Sequence, residues 1–323
     1  MNFGKEDDMN KGRKSKGKKF TRDDFELTIL AIPTIIWYVL FAYLPMFGVI
    51  IAFKNYRLTP GKGFIQSLLL SDWIGFKNFK FLFATRDAFI MIKNTLLYNS
   101  VFIILGVIIP VTLAIMMSQL YNQKLAKGFQ TAILLPHFLS WVVIGYFIFS
   151  FLSYDKGLIN KMMISFGKEP LQWYVEPKYW PFILVLVNLW KNIGYGMVVY
   201  LASISGIDST YYEAAVIDGA TKWQQITKIT VPLIKPIVVI MFILAVGRIF
   251  NSDFGLFYIV PRNTGQLLEA TTTIDTYVYK ALMSLGNIGM SSAAAFFQSV
   301  FGCITIITAN TITKKIDEEN ALF

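Results

Sequence analysis

Six apolar runs, near residues 27–53, 94–118, 130–153, 180–203, 233–250 and 291–313, recur along a chain of 323 residues. A helix needs about 20 apolar residues to cross the hydrocarbon of a bilayer. The runs therefore predict an all-α, polytopic membrane protein with six transmembrane helices. Composition agrees, since 55% of the residues are hydrophobic and mean hydropathy is +0.52, more than one soluble core can hide. Pro45 and Pro110 fall inside the first two runs and predict kinks that neighbouring helices accommodate.

The net charge of +10 is concentrated before the first run, at Lys5, Lys11, Arg13, Lys14, Lys16, Lys18, Lys19 and Arg22. A nucleic-acid binder spreads such residues over a folded surface between aromatics, so no nucleic-acid partner is expected. Residues 1–26 read as a basic tail that holds the N-terminus in the cytoplasm with some attraction to anionic lipid. They do not read as a cleavable signal, because the run from Leu27 is too long and lacks a small-residue cleavage site. The region 27–313 then alternates sides, which puts 119–129, the loop 204–232 and the tail 314–323 in the cytoplasm. The outer loop 54–93 carries Phe64, Trp73, Phe76, Phe79, Phe81 and Phe83 among lysines, a pattern suited to the membrane surface.

Several chemistries find no support. Cys303 is the one cysteine, so there is neither an internal disulfide nor zinc-ligand spacing, and the lone His137 reads as structural. No GxxxxGK[ST] phosphate loop occurs, so the chain is expected to hold no ATP or other cofactor and to take its energy from a partner. A membrane-embedded glycosyltransferase would want an Asp-x-Asp pair for a nucleotide-sugar metal, and the 20 acidic residues are scattered without one. A passive channel would have no use for the stretch described next.

That stretch is YYEAAVIDGATKWQQITKITVPLIKP, Tyr211 to Pro236. Thr210 and Glu213 have the spacing of a capping box and predict a helix start, and Gly219 suits the left-handed residue that ends it. Thr221 and Gln224 predict a second start, with Pro232 and Pro236 closing that helix. The small side chains of Ala214, Ala215, Gly219 and Ala220 let another protein surface approach the backbone. The stretch reads as a docking knob.

The order Glu-Ala-Ala-x-x-Asp-Gly-Ala at 213–220, followed by Ile226, Ile229, Pro232 and Pro236, resembles the EAA loop of binding-protein-dependent ABC importer permeases of the MetI-like type. That resemblance implies a cytoplasmic coupling helix seated in a cleft of an ATPase, with Tyr212, Glu213, Ala214, Ala215, Asp218, Gly219 and Ala220 making the contact. It further implies two ATPase subunits that bind ATP and magnesium, a second permease forming a heterodimer, and an extracytoplasmic solute-binding protein. The runs WIGFKNFKFLF at 73–83, IDTYVYKAL at 274–282 and KKIDEENALF at 314–323 are similar to the LplB-type polysaccharide permeases, relatives of the larger maltose permease. An oligosaccharide importer in the cell membrane of a bacterium is the expectation. A permease of the same fold for a non-sugar solute is the alternative.

Polar residues inside spans point to the substrate path, because a charge near the midplane costs at least about 2.5 kcal/mol unless it meets a wet cavity or a partner. One cluster is Asn188, Trp190, Lys191, Asn192 and Tyr195, and another is Arg248, Asn251, Ser252 and Asp253 beside Phe250 and Phe254. Rings and amides suit a sugar, whose CH faces stack and whose hydroxyls hydrogen-bond. By resemblance to the maltose permease, the sugar site falls on Lys191, Asn192, Tyr195, Ile249, Phe250 and Asp253. Trp190 and Arg248 complete the candidate set. The residue types depart from the maltose pattern at Lys191, Asn192, Ile249, Phe250 and Asp253. Lys191 and Arg248 suit an acidic sugar such as a uronate, against which Asp253 argues in part. The competing reading is that both cations pair with Asp253 or reach for an interface.

Overall fold

The computed structural model describes residues 22–316. The expectations placed on the basic tail before Arg22 and on the last residues after Ile316 lie outside the described residues. Two compact units divide at Val49 and Ile50.

In the first unit, α1 (Arg22–Tyr38) runs into a π turn at Val39–Tyr43 and a short helical piece at Leu44–Met46. Proline has no N–H for the carbonyl four residues back. Around Pro45 the ladder accordingly changes type, with a π turn before it and a 3₁₀ turn, Phe47–Phe53, after it.

The second unit contains the longer helices. Thr85 caps α2 (Arg86–Ser118) by accepting from the Ala88 amide, and Asn122 caps α3 (Gln123–Leu134) through the Lys124 and Leu125 amides. Ser140 caps α4 (Trp141–Leu152) through the Val143 amide. There follow α5 (Trp180–Ser205), α6 (Ser209–Ile217), α7 (Val231–Val246), α8 (Ile274–Leu285) and α9 (Ile288–Ile316). Among the described residues the one β feature is an isolated bridge between Lys54 and Trp73.

Five stretches are long and apolar enough to span a membrane: Phe25–Phe53, Arg86–Ser118, Pro177–Ser205, Lys222–Val246 and Ile288–Lys315. The sixth expected span, 130–153, is not straight. Gln123–Phe138 and Trp141–Leu152 meet at 99°, so they count as one span only if broken. The cause is local: Pro136 cannot donate, Leu139 is extended (ψ 137°), and Ser140 starts a new helix.

Three further expectations need correcting. The second span starts at Arg86 rather than 94, because the Thr85 cap and Asp87 in the first turn extend the helix beyond its apolar run. Pro232 and Pro236 do not close a helix. A π turn at Ile226–Thr230 precedes α7, leaving Pro232 in a first-turn position where no donor is needed, and the helix carries on through Pro236. The aromatic loop is also less superficial than its sequence suggests. Phe79 is buried, and Phe53 gathers Trp73, Phe76, Phe79 and Phe296 around its ring, while Phe64, Phe76 and Phe83 stay exposed.

Irregular backbone in this unit is held by side chains. Asn78 Nδ2 donates to the carbonyls of Ala52 and Lys54, each at 2.9 Å. From α2, Asn94 Nδ2 reaches Glu269 O and Thr272 O, Tyr98 Oη reaches Ala270 O, and Asn99 Nδ2 reaches Ile249 O and Asn251 O. These bonds fix the stretch 249–274 against α2, which is the stretch that carries half of the candidate site.

Close packing depends on glycine where α5 crosses its neighbours. A Cβ on Gly194 would collide with the Ile133 carbonyl oxygen and the Leu134 Cα, whereas one on Gly128 in α3 would meet nothing within 4 Å. Gly194→Ala is therefore expected to lower the melting temperature of the purified protein, at an overpacking cost of about 1–3 kcal/mol. Gly128→Ala should leave it equal or slightly raised, and thermal unfolding of both variants in detergent checks the ranking.

Candidate functional site

The docking knob forms, with one change at its start. Asp208, not Thr210, caps α6: its Oδ1 accepts from the Thr210 amide at 2.9 Å while its backbone is still extended. That amide bond holds the Asp208 carboxyl below its usual pKa. Glu213 is engaged by Ser209 Oγ at 3.0 Å instead of by a Thr210 box. The helix ends as expected. Gly219 has φ +75°, its amide donates to Val216 O, and the Ala220 amide donates to Ala215 O. The second box is present, with Thr221 Oγ1 accepting from the Gln224 amide and Gln224 Oε1 from the Thr221 amide.

The knob is exposed but not loose. Glu213, Ala214, Asp218 and Gly219 are exposed, and Tyr212, Ala215 and Ala220 are half-buried. Tyr212 Oη shares a 2.9 Å hydrogen bond with Thr230 Oγ1, and buried Gln225 donates to Ala220 O, so the base is pinned to the start of the next span. At the tip Ile217 is 86% exposed and Trp223 72% exposed, apolar surface with no cover from this chain. Beside α6 lies a cavity of about 940 Å³ lined in part by Met117, Gln130, Leu201, Tyr212 and Ile217.

The intramembrane cluster is arranged differently from its sequence reading. Lys191 is buried, and its ammonium donates to His137 O at 2.9 Å and to Leu139 O. Those carbonyls belong to the break between α3 and α4, where the helical donors are missing. The same ammonium lies 5.1 Å from the Trp141 ring centroid. Two of the three Lys191 donors are thus held by backbone carbonyls of the break. Trp141 Nε1 donates to Asp253 Oδ2 at 2.8 Å, and Asp253 Oδ1 accepts from the Gly255 amide at 2.9 Å. Gly255 is obligatory here, because a Cβ would run into the Trp141 ring.

The remaining candidates divide. Trp190 and Tyr195 are exposed, Asn192 is half-buried, and Tyr195 stacks on His137 at 5.1 Å. Phe250 packs on Phe297 and Phe301 from α9, with its carbonyl held by Gln298, and Ile249 is half-buried. Arg248 is exposed and makes no ion pair among the described residues. The structure thus brings Lys191, Tyr195 and Asp253 into one network through His137 and Trp141, and leaves Phe250 to packing. Sequence reasoning missed Trp141 and Asp275; the latter accepts from Ser252 N and Oγ at 2.7 Å and from Gln298. The signal for Trp141 was Ser140 following Pro136, a cap after a breaker.

Residues 106–318 match the family model described as binding-protein-dependent transport system inner membrane component. The chain belongs to this family. As a permease of that family it is an integral membrane transport subunit. Protein LplB of Bacillus subtilis (strain 168) is 33% identical over 293 residues, covering 91% of this chain and 90% of the relative. The polygalacturonan/rhamnogalacturonan transport system permease protein YteP of the same organism is also 33% identical, covering 91% and 89%. Among solved structures, a bacterial ABC transporter involved in the import of the acidic polysaccharide alginate contains a chain with TM-score 0.81 and 32% identity, covering 91% of this chain and 97% of that one. A second, the alginate transporter in complex with alginate pentasaccharide-bound periplasmic protein, gives TM-score 0.81 and 31% identity, covering 91% and 96%.

Removing the Lys191 ammonium leaves two carbonyls of the break without donors. Lys191→Met is expected to cost about 1–3 kcal/mol for each carbonyl left unpaired, whereas Trp190→Phe, at an exposed ring, should cost little. Melting temperatures of the two purified variants, read side by side, check the difference.

Proposed function

We propose that this permease carries an acidic oligosaccharide across a bacterial cell membrane as one half of a heterodimer, energised by two ATPase subunits seated on the knob. The observation that carries the coupling half is α6 itself, an exposed helix with an apolar tip, ended by left-handed Gly219 and pinned at its base by Tyr212 and Thr230. A rigid knob transmits displacement of a partner into the span that begins at Lys222. In this reading ATP and magnesium bind only in the ATPase partner, whose closure biases the permease between inward-open and outward-open states. The knob and both termini then face the cytoplasm, and a solute-binding protein delivers the sugar from outside.

The relative named for polygalacturonan and rhamnogalacturonan and the neighbour named for alginate support an acidic sugar, as does a guanidinium at Arg248 with no ion-pair partner among the described residues. Trp190 and Tyr195 supply rings, Asn192 an amide, and Arg248 and Asp253 charges, with Ile249 and Phe250 as wall. Lys191 acts through the break, by fixing where Trp141 and His137 stand.

The test is ATP-driven uptake and substrate-stimulated ATP hydrolysis in proteoliposomes holding the full complex, with matched uronic and neutral oligosaccharides. A β-branched residue at φ +75° is strained whatever the space around it. Gly219→Val is expected to abolish both activities while the complex still assembles and purifies. Unchanged uptake in that variant contradicts the coupling role. Arg248→Gln should reduce uptake of the uronic sugar more than that of the neutral one.

A further inference from the structure

A second pocket, lined by none of the residues of the Lys191 network, is a cleft of about 450 Å³ between α4 and the stretch 258–263. Val142, Tyr146, Phe149, Tyr258, Arg262 and Asn263 line it. The lining holds three aromatic rings, one amide and one guanidinium, with no carboxylate among them. Its floor is close-packed, because Gly145 lets the Ile259 side chain and carbonyl approach to 3.3–3.4 Å of where a Cβ would sit.

The backbone of the cleft is unusual. Arg262 (φ 57°) and Asn263 (φ 47°) are the described non-glycine residues with positive φ. They end a helical turn, with the Arg262 amide donating to Ile259 O and the Asn263 amide to Tyr258 O, each at 3.0 Å. Glycine is the common choice at such an end, and an L-residue there is disfavoured by its own Cβ. What the arginine adds is its side chain. The guanidinium carbon lies 4.1 Å from the Phe149 ring centroid, so one face of the cation is covered by an apolar ring. Its in-plane N–H edge makes no hydrogen bond or ion pair with another described residue. A guanidinium lying against a ring keeps free the fork that grips a carboxylate by two parallel bonds. Asn263 Nδ2 lies 3.4 Å from Tyr258 Oη, which leaves its amide oxygen open to a hydroxyl.

We propose that this cleft is a separate binding site for one uronate residue of an oligosaccharide, with Arg262 taking the carboxylate and Tyr146 and Tyr258 flanking the sugar ring. The volume suits one or two sugar rings. A single ring-covered guanidinium among aromatics favours a sugar acid over a phosphate headgroup, which basic clusters recruit. The proposal rests on the oligosaccharide reading above and gives that sugar a required charge at a second position on its path.

The experiment uses the full permease–ATPase complex in nanodiscs of zwitterionic lipid without binding protein, titrated with a galacturonate oligomer and with the neutral galactose oligomer of the same length. Wild type should bind the uronic oligomer more tightly. Arg262→Gln should weaken uronate binding about tenfold or more, the loss expected for a charge-assisted pair, and leave the neutral oligomer unchanged. Arg262→Gly gives the same loss in a variant whose backbone suits the turn, so misfolding does not explain it. Arg262→Lys should retain part of the affinity. Uronate binding unchanged in both charge-removing variants overturns the site, as does an effect seen only in nanodiscs with anionic lipid, which assigns the arginine to a headgroup. A wild-type complex that takes up only neutral oligosaccharides overturns the acidic-sugar reading itself, whereas uronate affinity that Arg262→Gly leaves unchanged, in a complex that still prefers uronic sugars, overturns the cleft alone.

Discussion

In hydrocarbon a peptide carbonyl that loses its helical donor has no water to turn to, and leaving it alone is costly. The bend between α3 and α4 creates such carbonyls at His137 and Leu139, and the Lys191 ammonium supplies their donors from α5. The site follows from that interaction. With the break fixed, Trp141 stands over Gly255 and holds Asp253, and His137 stacks on Tyr195. The device recurs wherever the backbone leaves the helix: Asn78, Asn94 and Asn99 each bridge two carbonyls, Asn160 bridges Tyr154 O and Leu171 O, and Gln298 holds Phe250 O. These amides act as backbone clamps.

The same logic separates the two functional regions. The knob spends polar side chains on its own caps, Asp208 and Thr221, and on two ties to the next span, Tyr212 to Thr230 and Gln225 to Ala220 O. Its tip is left with Ile217 and Trp223 uncovered. The intramembrane network does the opposite: Lys191, Trp141 and Asp253 are committed to each other or to backbone. In the proposed cycle the first region is a surface made to be gripped, and the second is a frame that carries exposed rings and Arg248 without yielding itself.

Spans and knob were legible in the sequence because their signals are local. Twenty apolar residues, a Gly at a helix end and a Thr-x-x-Gln box each act within a few residues, and Gly219 and Thr221 took the conformations their types predict. The break at Leu139 was not legible from hydropathy, which sees the same apolar letters whether or not a helix bends among them. Pro232 misled for a related reason, since a proline ends a helix only when its missing donor matters, and the preceding π turn removes that need. The backbone partners of Lys191 were not legible, because a carbonyl more than 50 residues away leaves no trace in local spacing. Asp208 displaced Thr210 as cap because both residue types can cap and the backbone geometry alone decides between them.

The most direct test of the docking surface uses the chain's one cysteine as its control. Replacing exposed Cys303 by serine clears the background, and Ile217→Cys places a thiol at the most exposed large apolar residue of α6. In membranes holding the active complex, a short thiol cross-linker should join that cysteine to the ATPase subunit, with a yield that changes when ATP is trapped. A complex that still drives uptake while the cysteine links only to the binding protein, or to no partner at all, would contradict the assignment of this helix to the ATPase.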